Sequence, residues 1–191
     1  MCQHLALFYA DAYPAAEVGD FFAAGLAAGD GCLALLTAPH RRAVEVALQA
    51  RGVHLESAAY VAVDTDAALA QWRVDGRLDL QRASEAMTPL MMAPSGGGNR
   101  RIRAAGDLAP TLVAAGHGDD AVAFECLVHR LTVEHGASVI CAYPIQAVCG
   151  HGNMTSLLRL SAEHAALEFP ERLWIQALRR PALRLVATGG G

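Results

Sequence analysis

The sequence predicts an α/β fold of three layers, with a mostly parallel sheet flanked by helices on both faces. Short apolar runs alternate with longer amphipathic stretches along the chain, which is the pattern of strands joined by crossover helices. The run SVICAYP, residues 138–144, is continuously apolar, as strands buried on both faces are. A chain of 191 residues, 53% of them hydrophobic, is long enough to bury the core of one such domain.

The elements follow in order from local signals. Strands are predicted at residues 4–9, 32–37, 59–64, 101–106 and 138–144. Pro14 and Pro39 suit the first turn of a helix, and Asp64 suits an N-cap. Helices are therefore predicted at residues 14–27, 39–51, 65–72, 80–92, 107–115, 119–135 and 154–167. We assign residues 1–170 to one domain and residues 171–191 to a partly flexible C-terminal extension.

Composition excludes several classes of function. The net charge of −4 provides no basic field for direct nucleic-acid binding. No apolar run reaches the ~18 residues of a membrane span, and the N-terminus lacks the basic region of a signal peptide. We therefore expect a cytoplasmic protein with no membrane contact. The five cysteines are widely spread, which favours buried apolar thiols over a disulfide framework.

The absence of lysine is the most restrictive observation, since all fifteen basic residues are Arg. A P-loop needs Gly-Lys-Ser/Thr, because the ammonium group neutralises the phosphates of the nucleotide. The stretch LALLTAPHRR, residues 33–42, lies at a strand–helix junction where α/β proteins hold ligands, but it cannot form that loop. Lysine Schiff-base chemistry is excluded for the same reason.

Polar side chains collect at the predicted carboxyl ends of the strands. His40 and Arg41 follow the second strand, Asp107 follows the fourth, and Tyr143 ends the fifth. Cations are disfavoured at a helix start, so His40 and Arg41 indicate either a carboxylate partner or an anionic ligand, unless they are simply solvated.

Two further charges fall inside apolar segments. Arg103 lies in a strand and needs a carboxylate, which Asp107 or Glu125 could supply in a structural ion pair. Glu125 lies on an apolar helix face, which indicates a buried partner for it as well. Met87, Met91 and Met92 either line an adaptable apolar pocket or, more simply, pack in the core.

Recognised catalytic and metal motifs are missing. The eight histidines form no HxH, HExxH or Cys/His cluster, so we expect no metal and no cofactor. There is no GxSxG nucleophile elbow. Cys141 lies within a buried strand, where a thiol is more often inert than reactive.

The order of the motifs resembles the MEDS domain, the methanogen/methylotroph sensory domain first described in a dichloromethane-responsive regulator. The resemblance covers about residues 4–168. It rests on the opening His4 with FY, the junction TAPHR, the turn DGRLD, the run RIRAAGDL, the helix AFECLVHRL, the strand SVICAYP and His164 in the last helix.

The resemblance implies a relative of the RecA/KaiC-type ATPases that has lost the nucleotide loop, and a RecA-like fold without Walker A. Two departures matter. Asp107 stands where the family usually has Glu, so a salt bridge or ligand there must shift by one methylene. Ala105 replaces an aromatic residue, which would enlarge any pocket.

We therefore expect a non-catalytic sensory or regulatory domain, acting in transcriptional regulation through a small-molecule ligand, a partner protein or a homodimer. The predicted ligand-binding residues are His40, Arg41, Arg103, Asp107, Glu125 and Tyr143. One alternative is an enzyme with His40 or Asp107 as general base. Another is an interaction protein that associates through the tail around Trp174.

Overall fold

The computed structural model describes residues 3–149, together with Arg159, His164 and residues 166–168. In this part of the chain the strands are β1 (Gln3–Tyr9), β2 (Gly31–Leu36), β3 (Tyr60–Asp64), β4 (Arg73–Val74), β5 (Arg77–Leu78), β6 (Ile102–Gly106), β7 (Ser138–Pro144) and β8 (Ala166–Glu168). The helices are α1 (Ala15–Ala27), α2 (Ala38–Ala50), α3 (Thr65–Trp72), α4 (Leu80–Met92), α5 (Leu108–Ala114), α6 (Gly118–Glu134) and α7 (Ile145–Cys149), with a 3₁₀ helix at Ala93–Ser95.

Six strands form one parallel sheet in the order β3-β2-β6-β7-β1-β8. The chain crosses over the sheet between paired strands, as parallel strands joined by helices must. All of the carboxyl ends consequently lie at one edge of the sheet, which we call the carboxyl edge, and all of the amino ends lie at the opposite, amino edge.

Helices cover both faces of this sheet, and the alternating side chains of β2 show how. Cys32 and Ala34 belong to a core with Val18 of α1 and Leu48 of α2, whereas Leu33 faces a second core built by α3, α4, α5 and α6. The predicted three-layer α/β fold is confirmed.

Local signals placed most element boundaries correctly. Asp64 caps α3 by accepting the backbone N–H of Ala67, as predicted. The DGRLD turn is part of a small β4–β5 hairpin, where Asp75 and Gly76 have φ of 49° and 78°. Two adjacent residues with positive φ are typical of a type I′ hairpin turn.

The prediction for the last helix is partly wrong. Residues 166–167 were expected to be helical, but Ala166–Glu168 form strand β8, which pairs in parallel with Leu5–Leu7 of β1. Without β8, the backbone N–H and C=O groups along one side of β1 would lack partners in the sheet. Pairing of these groups overrides the helical pattern of residues 166–167. Arg159 is helical as predicted, whereas His164, which was also expected in this helix, is in neither a helix nor a strand. The other residues of the predicted helix lie outside the described residues, as do the domain boundary at residue 170 and the tail around Trp174.

Candidate functional site

The six predicted ligand-binding residues lie in different parts of the molecule. His40 and Asp107 meet at the carboxyl edge, Glu125 and Tyr143 meet between the sheet and α6, and Arg103 lies at the amino edge. Arg41 is on α2 and faces Glu45 one turn later, with 3.7 Å between Nε and the carboxylate. The structure therefore forms two pairs among the six and leaves Arg41 and Arg103 apart from both, and ligand binding by these residues stays a prediction.

Asp107 is the centre of the carboxyl-edge group, which we call the Asp107 network. Its carboxylate is buried and accepts four donors: the backbone N–H of Thr37 at 2.9 Å, the Thr37 hydroxyl at 3.0 Å, the Thr65 hydroxyl at 2.6 Å and His40 Nδ1 at 2.7 Å. These donors sit at the starts of α2 and α3, so one side chain joins β6 to two helices.

The Asp107 network occupies the strand–helix junction at residues 33–42, where the absence of lysine excludes a P-loop. Asp107 follows β6, the neighbour of β2, and its carboxylate sits against the first turn of α2. A helix N-terminus favours a negative charge, and an internal carboxylate supplies it here. The carboxylate expected to accompany His40 is thus Asp107.

Two tyrosines shield this network. The ring of Tyr13 stacks on His40 with centroids 3.9 Å apart, and Tyr9 packs edge-on against Tyr13. Burial, reinforced by the charge of Asp107, raises the pKa of both phenols, so they are neutral at physiological pH.

Arg103 pairs with neither of its expected partners. Its Nε donates to Asp30 at 2.9 Å, its Nη1 donates to the Phe21 carbonyl at 3.0 Å, and Arg101 shares Asp30. The prediction of Asp107 or Glu125 as partner is wrong because Arg103 is the second residue of β6, near the amino edge, whereas Asp107 follows the strand's end. Gly25 makes this arrangement possible, since a Cβ there would lie 2.4 Å from Arg103 Cδ.

Glu125 is the centre of a second buried group, between the sheet and α6. His4 Nε2 lies 3.0 Å from Glu125 Oε2, and the hydroxyl of Tyr143 donates to Oε1. Burial opposes ionisation of Glu125, but the hydrogen bond from His4 and the charges of His164 and His4 outweigh it and hold the pKa below its usual range. The buried partner expected for Glu125 is confirmed.

Cys141 and His164 complete this group. The Cys141 sulfur lies 3.5 Å from His4 Nε2 and 3.6 Å from Glu125 Oε2, while His164 Nε2 lies 3.5 Å from the same oxygen. Burial and the charge of Glu125 raise the pKa of the Cys141 thiol well above its ordinary value, so it is protonated in this state. We call His4, Glu125, Cys141 and His164 the Glu125 cluster.

A small cavity of about 20 Å³ adjoins the Glu125 cluster. It lies between the sheet and helices α4, α5 and α6, and its only polar side chains among the residues described are Glu125 and Cys141. Its apolar wall includes Leu33, Leu35, Met87, Met91, Leu108, Ala109, Phe124 and Val139. Met87 and Met91 are thus both core residues and cavity residues.

A larger open groove, of about 720 Å³, runs along the amino edge between the end of α1 and residues 51–59. Two of its charged side chains have charged partners: Arg51 bonds to Asp20, and Asp30 bonds to Arg101 and Arg103. Arg100, also in the lining, contacts the Pro94 carbonyl at 3.5 Å. A ligand in this groove would therefore find fewer unpaired charged groups than the volume of the groove suggests.

A comparison of the sequence with models of protein families identifies the family of this chain. Residues 3–160 match the model of the methanogen/methylotroph, DcmR sensory domain. The chain belongs to the MEDS family. MEDS domains are sensory domains, so the expected sensory or regulatory role agrees with this membership. No curated protein and no solved structure matches the chain, and kinship with RecA-type ATPases stays a prediction. In the described residues, no helix combines the length and apolarity needed to cross a bilayer.

Sequence reasoning did not assemble the Glu125 cluster. Its members come from β1, α6, β7 and the segment before β8, so no local spacing joins them. The available signal was their place in the MEDS-like pattern: His4 at the opening, Glu125 in AFECLVHRL, Cys141 in SVICAYP, and His164 four residues beyond the matched range.

Proposed function

We propose that this MEDS domain senses a small, mainly apolar molecule that enters the cavity beside Glu125 and relays its presence through the Asp107 network. One observation carries the proposal: Gly106 and Leu108, the residues on either side of Asp107, both line the cavity. A ligand that moves this part of the wall must also move the carboxylate that holds the starts of α2 and α3.

The cavity defines the class of ligand. Its wall is apolar, so a charged ligand would be desolvated without compensation. Glu125 and Cys141 provide one polar side, suited to a ligand with a single hydrogen-bonding group. In this structure the cavity has room for about one water-sized molecule. Anything larger requires Met87 and Met91 to change rotamer, which unbranched methionine side chains do readily.

The relay follows from the hydrogen bonds of Asp107. Its contacts with Thr37, His40 and Thr65 are 2.6–3.1 Å long, and such bonds weaken steeply with misalignment. Displacement of Leu108 would therefore release or tilt the first turns of α2 and α3. A regulatory partner, or a second copy of the chain, would read this change at the carboxyl edge and pass it to transcription.

The test uses xenon and the primary alcohols from methanol to butanol as probes, followed by NMR. Cavity entry predicts shifts of the methyl signals of Met87, Met91 and Leu108, together with the backbone amide of Thr37. Ala109→Val fills the cavity wall and should abolish both sets of shifts. Ala114→Val adds the same methyl groups at an exposed position of α5 and serves as the control.

Two results would contradict the proposal. One is the absence of methyl shifts at saturating probe concentration in the wild-type protein. The other is methyl shifts that leave the Thr37 amide unmoved, because binding without movement of the Asp107 network removes the relay.

A second candidate is acid–base catalysis at the carboxyl edge. The observation favouring it is the 2.7 Å contact between His40 Nδ1 and Asp107, with the imidazole 29% exposed. A carboxylate that orients a histidine in this way is a feature of general bases. Hydrolysis of a simple activated ester at a rate that His40→Gln removes, and Arg42→Gln does not, would favour this alternative.

A further inference from the structure

The Glu125 cluster contains the kinds of donor atom that bind transition metals. Two imidazole nitrogens, one thiol sulfur and one carboxylate oxygen lie within 4.8 Å of one another. The side chains of His4, Glu125 and His164 are 0–1% exposed, and Cys141 is 4% exposed. These four residues come from elements that surround one point in the protein interior.

Three of the six distances between donor atoms match those of a four-coordinate metal, and all six are within 4.8 Å. Bonds of about 2.0–2.3 Å place the ligands of a tetrahedral zinc about 3.3–3.8 Å apart. The Glu125–His164, His4–Cys141 and Glu125–Cys141 distances are 3.5, 3.5 and 3.6 Å, within this range. The His4–Glu125 distance of 3.0 Å is shorter and would open by ~0.3 Å around a metal.

We propose that His4, Glu125, Cys141 and His164 form a buried site for a divalent metal ion of the zinc class. Nitrogen, sulfur and oxygen donors together suit zinc rather than calcium or magnesium, which prefer oxygen donors alone. With a thiolate and a carboxylate as ligands, a divalent cation gives a net charge of zero, which lowers the cost of burying charged groups. Coordination itself displaces the proton from the Cys141 thiol.

Tyr143 supplies the orientation that such a site needs. Its hydroxyl donates to Glu125 Oε1, which leaves Oε2 directed at His4, Cys141 and His164. Outer hydrogen bonds of this kind fix a ligand carboxylate and raise metal affinity. Four protein ligands close the coordination sphere, so the metal would be structural and would hold α6 against β1 and β7.

This inference does not rest on the proposed sensory function, although Glu125 and Cys141 belong to both, because their side chains also line the cavity. Gly106 and Leu108, which connect the cavity wall to Asp107, are not among the proposed metal ligands. The two proposals are therefore tested by different measurements on the same protein: metal content and ligand spectra for one, and probe-induced NMR shifts for the other.

The first experiment measures zinc in the purified full chain by mass spectrometry of the elements, and then replaces it with cobalt after treatment with a chelator. We expect one metal ion per chain. The cobalt form should show the intense visible bands of a tetrahedral site and a near-ultraviolet thiolate-to-cobalt band. These readouts require only the wild-type protein.

A pair of cysteine variants tests whether the sulfur that binds the metal belongs to Cys141. Cys141→Ser should remove the thiolate-to-cobalt band and weaken cobalt binding by at least ~100-fold, more than loss of an outer hydrogen bond does. Cys126→Ser is the matched control, because Cys126 is adjacent to Glu125 on α6 but is exposed. It should retain the band and the affinity.

Three results would overturn the proposal. They are failure of the wild-type protein to take up either zinc or cobalt at one ion per chain, a cobalt spectrum without a thiolate band, and loss of that band in Cys126→Ser. The first result would assign the cluster to an ion pair between Glu125 and its histidines, and probe-induced shifts at the cavity would still be expected.

Discussion

Asp107 and Glu125 are both fully buried carboxylates in one small domain, but their surroundings differ in kind. Asp107 accepts hydrogen bonds from a backbone N–H, two hydroxyls and one imidazole. Glu125 meets two imidazoles, a thiol and a phenol. The four donors to Asp107 satisfy the hydrogen-bonding capacity of its carboxylate, and all of them belong to residues of the protein itself.

The difference shows how a fold can use the same functional group for two purposes. The donors to Asp107 belong to the starts of helices, so the carboxylate acts as a latch between elements. The neighbours of Glu125 carry lone pairs of their own, and together with the carboxylate they form a set of ligands. Arg103 and Asp30 at the amino edge provide a third arrangement, in which the partner of the carboxylate is a guanidinium group and the two form an ion pair.

Asp107→Asn should have the largest effect, because it breaks the latch. The amide NH₂ would face donor groups of Thr37, Thr65 or His40, so charge-assisted hydrogen bonds are lost and a buried donor is left unpaired. We expect a loss of about 3–5 kcal/mol in the free energy of unfolding, measured with urea. Asp66→Asn, at an exposed position in the first turn of α3, should change stability by less than ~0.5 kcal/mol. Equal losses in both variants would contradict the latch.

Arg103→Ala should have the next largest effect, because it leaves Asp30 buried with one weaker partner. We expect a loss of about 2–3 kcal/mol, below the range for fully buried pairs, since Arg103 is 24% exposed. Arg101→Ala is the matched control, as its side chain is 73% exposed and contacts the same carboxylate, and it should cost less than ~1 kcal/mol.

The same variant also tests the sequence-based expectation that Arg103 binds a ligand. The cavity and the Asp107 network lie away from the amino edge, so Arg103→Ala should leave probe-induced NMR shifts unchanged. Loss of those shifts in a folded Arg103→Ala protein would revive a ligand role for this residue.

Tyr143→Phe should sharpen the contrast at Glu125. Removing the hydroxyl leaves Oε1 without this donor, which we expect to cost about 1–2 kcal/mol in unfolding free energy and ~10–100-fold in cobalt affinity. Tyr13→Phe is the control, because the Tyr13 hydroxyl is buried with no hydrogen-bond partner among the described residues. It should be neutral or slightly stabilising. A cobalt affinity unaffected by Tyr143→Phe would separate Tyr143 from the cluster.

Substitution of Asp120 should have the smallest effect on the free energy of unfolding, and the effect should depend on pH. Arg77 bonds to its carboxylate, the Leu78 N–H adds a second contact, and His117 contributes positive charge; together they lower the pKa of Asp120. A lowered pKa in the folded state stabilises the protein above the unfolded value of about 3.9, and this stabilisation is lost as the pH falls through the folded value.

Asp120→Asn should therefore cost about 1 kcal/mol near neutral pH, a value reduced by the 67% exposure of Arg77. The difference from wild type should shrink as urea unfolding is repeated at lower pH and vanish below the folded pKa. Asp119→Asn, the exposed neighbour, should show a smaller difference throughout. A difference for Asp120→Asn that grows in acid would mean that its pKa is raised rather than lowered.

Most of the helices and strands could be predicted because their signals are local. Pro39 and the Asp64 cap mark helix starts, and the apolar run at residues 138–144 coincides with β7 (Ser138–Pro144). The exceptions are β8, the β4–β5 hairpin, helix α7 and the 3₁₀ helix at Ala93–Ser95. Strand β8 forms because β1 has a free edge, and no pattern within residues 166–168 carries that information.

The pairing of His40 with Asp107 at the carboxyl edge was predictable for a topological reason. His40 follows β2 and Asp107 follows β6, and parallel strands that are neighbours in a sheet deliver their following residues to the same place. The sequence alone could not identify Asp30 as the partner of Arg103, since the choice depends on which edge of the sheet each residue reaches.

By itself, the sequence determined the alternation of strands and helices, the exclusion of a lysine-dependent nucleotide loop, and the motifs that place the chain among MEDS domains. Only the tertiary structure decided which buried charges meet. Periodicity acts over a few residues, whereas His4, Glu125, Cys141 and His164 are brought together by the order of strands in the sheet and by the packing of α6 upon it. The energy of a buried carboxylate depends on those distant neighbours, so its role is a property of the fold.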